Sequence, residues 1–409
     1  MKPAVLVPPV TPDPGVGGQE GLHTVLRGLC GQLAEHGSPP RLILPDYVAR
    51  SGQKYPSVSI SARYARGIRE AAISAAGPTT RQLVAELVPL LADHDVCIAY
   101  DVLFDVYLLP LTTALVQAAD ETGCPLVFYS YECTWDASRD GGFDWSRAAC
   151  APWDAIRRAA GRHTLAFPAT ATRDKIAGIT GIELPDWSLL PPLLDLAWEP
   201  HLNDEAVTLW SDYQLWDCDS VMFLPGLNRM NNGIDRAMRV LRALKDRGLR
   251  SRLLLTYSRD NWYPGNRQHY DELIAAATAL GLRDDVIFLA SARPSWANGL
   301  DRHALQTVYQ LCDAVLLLSD WEGFGLVAVE AVLARAPLFC TDLPVLREVT
   351  GNCAEYFQLD APEHAIADRV AQAMGGPGAR ARKAIAPFLD REAHYRRFIE
   401  PMLARAADL

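Results

Sequence analysis

Two glutamates, Glu322 and Glu330, stand on either side of an abrupt turn in the stretch AVLLLSDWEGFGLVAVEAVLAR, residues 314 to 335. An apolar run breaks into Ser-Asp-Trp-Glu, passes Gly323 and Gly325, and restarts as a second apolar run with Glu330 inside it. Glycines at such a turn admit positive φ and let a ligand approach the backbone. The amides of Phe324, Gly325 and Leu326 then fall at the N-terminus of the following helix, where phosphate or a polar sugar is stabilised. Glu322 projects from the loop. Glu330 lies one turn into the helix, roughly 80° around from it if a rotation of about 100° per residue runs throughout. Two carboxylates so placed address different parts of one ligand. A helix cap and a stray surface charge explain a glutamate between Val329 and Ala331 poorly.

The turn needs a strand before it and a helix after it, and the whole chain repeats that rhythm. Short apolar runs alternate with longer helical patterns, as in parallel α/β sheets. In the first half the expected strands are Ala4 to Val10, Arg41 to Leu44, Asp95 to Tyr100, Pro125 to Ser130 and Thr164 to Pro168. Helices such as Gln19 to His36, Thr79 to Asp93 and Pro110 to Thr122 separate them. The second half gives strands Val221 to Leu224, Arg252 to Tyr257, Asp285 to Ala290, Ala314 to Ser319 and Pro337 to Thr341. Its helices are Gly233 to Arg247, Asn266 to Leu280, Arg302 to Cys312 and Leu326 to Ala334.

A chain of 409 residues is long for one core, so two doubly wound domains of about 200 residues each are expected. Leu184 to Asp217, rich in proline and tryptophan and without a strong period, reads as the boundary. The expected domains are residues 1–200 and 201–389, with a final amphipathic helix, residues 390–409, returning to the first. Ligands of such sheets bind outside the carboxyl ends of the strands.

Composition narrows the function classes. A net charge of -10 argues against a duplex nucleic-acid binder or an anionic-membrane surface protein. The local cluster Arg380, Arg382 and Lys383 reads as a solvated helix face. Nine scattered cysteines, never spaced as CxxC, read as reduced apolar residues of a cytoplasmic protein. The N-terminal MKPAVLVPPVTPDPG does not resemble a signal peptide, and no run is long and apolar enough to predict a transmembrane segment. No metal site is indicated: Asp217-Cys218-Asp219 sits at the edge of the boundary segment, where a solvated charge pair is the simpler reading.

The run EGFGLVAVEAV resembles the E-x7-E element of the retaining glycosyltransferases of the GT-B fold, in particular glycosyltransferase family 4. Further matches fall in the family's order. Gly17-Gly18-Gln19-Glu20 is similar to its GG-x-E turn, and Asp285 to Leu289 to its "nV-F-G" strand. Val308 to Asp313 is similar to its "lY-xaD" helix and Pro337 to Glu348 to its "P-v-a-t-d-x-p-x-l-r-E" stretch. The resemblance covers the second half well and the first thinly.

It implies two Rossmann-like domains facing a central cleft, the first holding the acceptor and the second the donor, with closure about the linker excluding water. It also implies roles by position. Glu322 would approach hydroxyls of the donor sugar, and Glu330 would bond the ribose of the nucleotide. The Phe324 to Leu326 amides would face the sugar and distal phosphate, and Gly17 and Gly18 would let backbone close on the phosphates.

Two departures from the family pattern stand out. The family's arginine and lysine that grip the diphosphate align with Leu227 and Asn232 in FLPGLNRMNNG. Arg229, Arg259 and Arg293, each following a strand, are the candidate substitutes, since leaving-group stabilisation is the main electrostatic work of such an enzyme. A histidine near the donor sugar is replaced in YSYECTWDASRD by Tyr131 and Glu132, which could bond a sugar hydroxyl or act as base. Trp135 and Asp136 are the candidate acceptor-binding pair, by stacking and hydroxyl bonding. His94 and His163 read equally as loop residues or site members.

The expected activity is therefore transfer of a sugar, with retention and without metal, from a nucleotide sugar to a hydroxyl acceptor. No resident cofactor is expected, the nucleotide sugar being a co-substrate whose nucleotide is UDP, GDP or ADP. The acceptor is a small molecule or glycan. A phosphorylase on the same scaffold and a catalytically eroded sugar or nucleotide binder are the alternatives.

Overall fold

The computed structural model describes residues 2–6, 29–45, 57–60, 78–105, 108–131, 133, 135, 144–149, 154–185, 188–191, 202–226, 233–259, 266–297 and 299–374. The chain divides into two compact units that meet in sequence at Leu196 and Ala197. Each is built on one parallel six-stranded sheet.

The first unit contributes strands β1 (Pro3–Leu6), β2 (Arg41–Pro45), β3 (Ser57–Ile60), β4 (Val96–Tyr100), β5 (Leu126–Tyr129) and β6 (Thr164–Ala166), in the order β3-β2-β1-β4-β5-β6. Helices α1 (Pro78–Leu91), α2 (Leu109–Thr122), α3 (Asp154–Arg162) and α4 (Thr170–Thr180) accompany them. The second unit opens with helix α5 (Asp204–Asp212). Its strands are β7 (Ser220–Leu224), β8 (Ser251–Leu255), β9 (Val286–Phe288), β10 (Ala314–Leu317), β11 (Leu338–Thr341) and β12 (Ala354–Phe357), in the order β12-β11-β10-β7-β8-β9. Its remaining helices are α6 (Ile234–Asp246), α7 (Asn266–Ala279), α8 (Leu289–Ala292), α9 (Arg302–Leu311), α10 (Leu326–Leu333), α11 (Pro344–Thr350) and α12 (Glu363–Met374).

Counted within each unit, both orders run 3-2-1-4-5-6, the doubly wound arrangement in which the connections change direction between strands 1 and 4. In the second unit that switch point lies between β7 and β10, which pair through Ala314 with Met222 and Val315 with Phe223. Every residue of β7 and β10 is buried, as expected of central strands covered on both faces. The edge strand β12, AEYF, is half-exposed. Helix α6 buries Ile234, Ala237, Met238, Val240, Leu241 and Leu244, a stripe at helical spacing. The stripe faces the core. Its polar side holds α12 through Arg239 to Glu363 at 2.7 Å, and Arg247, the residue just after it, pairs with Asp368 at 2.6 Å.

Several sequence expectations require correction. The expected boundary segment contains α5, capped where the Asn203 side chain accepts from the Ala206 amide at 2.9 Å and buried through Ala206, Leu209 and Trp210. The strand from Asp285 ends at Phe288, because β9 is an edge strand with β8 as its partner and the chain coils at once into α8. Strands β3 and β12 were not anticipated. Both are short, and the sequences SVSI and AEYF lack a continuous apolar run. The final helix expected at residues 390–409 and the Arg380, Arg382 and Lys383 cluster lie outside the described residues. Among the described residues, no helix is long and apolar enough to cross a membrane.

Candidate functional site

The loop after β10 occupies the switch point of the second sheet. Ser319 ends the buried run and is 1% exposed. Its hydroxyl donates to Glu322 Oε1 at 2.6 Å, folding the carboxylate back toward the strand it has just left. Gly323 is buried and Gly325 adopts φ 85°, a left-handed conformation that favours glycine. A Cβ at Gly325 would also lie 2.4 Å from Leu346 Cδ2 of α11. The dihedral therefore disfavours any side chain there, and a Cβ would also have to displace the tip of Leu346.

Helix α10 starts at Leu326 with Gly325 as its cap. Ala328 and Val329 donate to the Gly325 carbonyl at 2.9 and 3.2 Å, so the hydrogen-bond ladder begins with them. Amides ahead of that point carry the partial positive charge of a helix N-terminus. Because the helix begins four residues after Glu322, the ideal rotation assumed between the two glutamates does not apply; each is fixed separately. Glu330 Oε2 accepts the Tyr309 hydroxyl at 2.7 Å. Tyr309, on α9, is 1% exposed and packs edge-on to Phe223 of β7, with centroids 5.1 Å apart. Burial first, and the neighbouring Glu330 second, push its phenol well above the ordinary tyrosine value.

Strand β7 borders the same switch point, and the described residues on either side of the loop that follows it are anchored. Gly226, at φ 138°, donates its amide to Thr256 Oγ1 at 3.0 Å, while the Thr256 hydroxyl donates back to the Gly226 carbonyl at 2.8 Å. Gly233, at φ 70°, leads into α6 so close to β10 that an added Cβ would lie 2.3 Å from the Leu318 carbonyl oxygen. Arg229, Leu227 and Asn232 between these anchors lie outside the described residues, as do Gly17, Gly18, Glu132 and Asp136.

The other candidate cations are engaged elsewhere. Arg259 pairs with Asp271 of α7 at 3.3 Å. Arg293 pairs with Asp212 of α5 at 2.5 Å and also donates to the Ala292 carbonyl at 3.2 Å. Asp342, at the carboxyl end of β11, accepts from Arg347 and from Gln358 at 2.9 Å, and Arg347 lies over the Tyr356 ring at 4.2 Å. The Arg347 hydrogen bond holds the Asp342 carboxyl below the usual carboxylate range.

In the first unit Tyr131 follows β5 and is 8% exposed. Its ring lies 5.4 Å from those of both Tyr100 and Tyr129, and its amide donates to Asp101 Oδ1 at 3.0 Å. Burial drives its phenol upward, so Tyr131 is set up as a hydrogen-bond donor and not as a base. Trp135, expected to stack on a sugar, is 1% exposed and packs edge-on against Trp145 in the core. His94 and His163 precede β4 and β6, at the ends of the strands opposite the ligand-binding loops. His94 contacts the Leu90 carbonyl at 2.6 Å, and His163 packs against Phe128. Asp219 likewise precedes β7 and accepts the Arg250 amide at 2.8 Å.

Sequence reasoning did not assign Ser319, Tyr309, Gly226 or Thr256 to this site. Tyr309 lay within a quoted stretch, Val308 to Asp313, and Ser319 was the polar residue closing an apolar run. Neither signal says which carboxylate the hydroxyl reaches.

Comparison with known proteins is consistent with this geometry. Over 67 residues, 16% of this chain and 8% of the relative, the chain is 33% identical to the serotype-specific mannosyltransferase WbdA of Escherichia coli. It is 39% identical over 94 residues to a D-inositol 3-phosphate glycosyltransferase of Actinosynnema mirum, covering 23% of this chain and 20% of the relative. The chain thus spans less than a quarter of the length of each.

Among solved structures, Anabaena Alr3699/HepE in complex with UDP and glucose superposes with a TM-score of 0.63 at 16% identity, covering 99% of both chains. WaaG, a glycosyltransferase involved in lipopolysaccharide biosynthesis, gives 0.62 at 14% identity, covering 97% of this chain and 95% of that one. These likenesses show the fold, that of the GT-B glycosyltransferases. Residues 222–386, which hold β10, its loop and both glutamates, match the family described as glycosyl transferases group 1.

Proposed function

We propose that the protein is a glycosyltransferase that moves a sugar from a nucleotide-sugar donor to a hydroxyl acceptor, with retention of configuration and without a metal ion. One observation carries the reading. Glu322 and Glu330 bracket a glycine turn and a helix N-terminus at the switch point of the second sheet, within the segment that matches glycosyl transferases group 1. Such a place suits a nucleotide sugar: the helix end stabilises phosphate charge and the two carboxylates accept from sugar and ribose hydroxyls. We assign Glu322 to the donor sugar and Glu330 to the ribose.

Retention and family 4 membership rest on the E-x7-E resemblance. Metal independence rests on the sequence, whose Asp217-Cys218-Asp219 precedes β7 and so lies at the wrong end of the strands. Arg229 is the proposed replacement for the cations missing at Leu227 and Asn232. The nucleotide sugar is a co-substrate, and no resident cofactor is proposed. A UDP-sugar is the first donor to try, since a structural neighbour holds UDP and glucose.

Titration calorimetry against UDP, GDP, ADP and their sugar conjugates tests the reading. A nucleotide that binds raises apparent stability by RT ln(1 + [L]/Kd). Product formed from that donor, with its anomeric configuration read by NMR and its yield compared with and without chelator, then tests retention and metal independence. Binding of inorganic phosphate in place of any nucleotide would favour a phosphorylase, and binding without turnover an eroded enzyme.

A further inference from the structure

Each glutamate of the pair is held by a hydroxyl from the protein interior, and the hydroxyl that holds Glu330 comes from a different helix. Tyr309 reaches α10 from α9, whose start is fixed where the Asp301 side chain accepts the Ala304 amide at 2.9 Å. Ala304, Thr307, Val308 and Leu311 bury the helix, and Phe223 of β7 backs the tyrosine ring. The phenol therefore has little freedom, and its 2.7 Å bond to Glu330 Oε2 fixes one end of a flexible side chain. A long, flexible glutamate side chain loses rotamer freedom when immobilised. Where that loss is met before the ligand arrives, the ligand need not meet it.

We infer that Tyr309 is a positioning residue for nucleotide binding: its hydroxyl presets the Glu330 carboxylate in the geometry that accepts the ribose hydroxyls. The inference rests on the reading of Glu330 as the ribose-binding residue. Tyr309 need not touch the ligand. It acts through Glu330, and its upward-shifted phenol keeps the donor proton across the physiological range.

The test is a double-mutant cycle on nucleotide affinity, measured by calorimetry with UDP, GDP and ADP, with melting temperatures recorded alongside. Tyr309→Phe keeps the ring against Phe223 and removes only the hydroxyl. We expect its affinity to fall at least fivefold, with kcat at saturating donor changed less than the donor KM. In a Glu330→Ala background the same substitution should cost nothing further. Phe223→Leu loosens the ring's support and leaves the hydroxyl, so it should lower the melting temperature while affinity stays within about twofold.

Affinity of Tyr309→Phe within twofold of wild type, or an equal further loss on top of Glu330→Ala, overturns the inference. So does a Phe223→Leu loss matching that of Tyr309→Phe, which would show a general structural effect. Should Tyr309→Phe not fold, Glu330→Gln decides the matter: its amide oxygen still accepts from Tyr309, so its affinity should lie between wild type and Glu330→Ala. Affinity no better than that of Glu330→Ala would overturn the inference. Wild-type protein that binds none of the three nucleotides sinks the reading of the site itself, and the inference with it.

Discussion

Gly233 sits against the backbone of Leu318, so close that a Cβ on Gly233 would lie 2.3 Å from the Leu318 carbonyl oxygen and 2.6 Å from its carbon. The start of α6 is thereby pressed onto the end of β10, one residue before Ser319 and four before Glu322. Backbone, unlike a side-chain tip, cannot swing aside. With φ at 70°, Gly233→Ala should therefore destabilise the protein by about 3 kcal/mol through strain and forced displacement. Urea denaturation would show it as a lower midpoint; an unchanged midpoint would mean that the close approach does not exist in solution.

The two glutamates should fail differently. Glu330→Ala removes a charged hydrogen-bond acceptor, a loss of about 1.5–3 kcal/mol, so nucleotide affinity should fall roughly 10- to 100-fold. It also strands the buried Tyr309 hydroxyl, which should lower the melting temperature. Glu322→Ala should leave nucleotide affinity nearly intact and reduce turnover. Calorimetry with the nucleotide, paired with initial rates, separates the two; equal loss of affinity in both would dissolve the division of roles.

Two of the three candidate cations are already engaged, and Arg229 lies outside the described residues. Arg259 and Arg293 are paired with Asp271 and Asp212, and Arg293 is only 16% exposed. Arg293→Ala should lower the melting temperature, because it releases α5, and should change donor affinity less than threefold. Arg229→Ala should weaken donor binding about tenfold, the cost of one charge-assisted hydrogen bond. Wild-type donor affinity in Arg229→Ala would remove it from the site.

Asp342 gives a pH signature. Its folded-state carboxyl is held below its unfolded value, by the Arg347 hydrogen bond first, so the stability it contributes is present above the unfolded value and is lost as pH falls through the folded one. The melting-temperature gap between wild type and Asp342→Asn should therefore be constant at neutral pH and narrow below about pH 4. A gap that instead narrowed between pH 6 and 8 would point to another group.

Much of the fold was legible because central parallel strands are apolar throughout. VMFL, residues 221–224, and AVLL announce β7 and β10 without any knowledge of their neighbours. The edge strands SVSI and AEYF were illegible for the converse reason: short and without a continuous apolar run, they are strands because β2 and β11 lie beside them. Helix α5 was hidden by the prolines and tryptophans around it, although Ala206, Leu209 and Trp210 carry helical spacing. Trp135, read as a sugar-stacking residue, is buried against Trp145, and an aromatic residue in a polar loop looks the same in sequence whether it meets a ligand or another tryptophan.

By itself the sequence determined that a strand, a glycine turn and a helix carry Glu322 and Glu330, because local pattern and glycine chemistry act over a few residues. It determined the resemblance of that element for the same reason. Only the tertiary structure decided what holds each carboxylate. Ser319 and Glu322 are close in the chain, but Tyr309 meets Glu330 across 21 positions, and Gly233 meets Leu318 across a strand pairing. Those contacts depend on sheet order 3-2-1-4-5-6, which brings the loops after β7 and β10 together, and sheet order is set by which buried faces pack and not by any local run of residues.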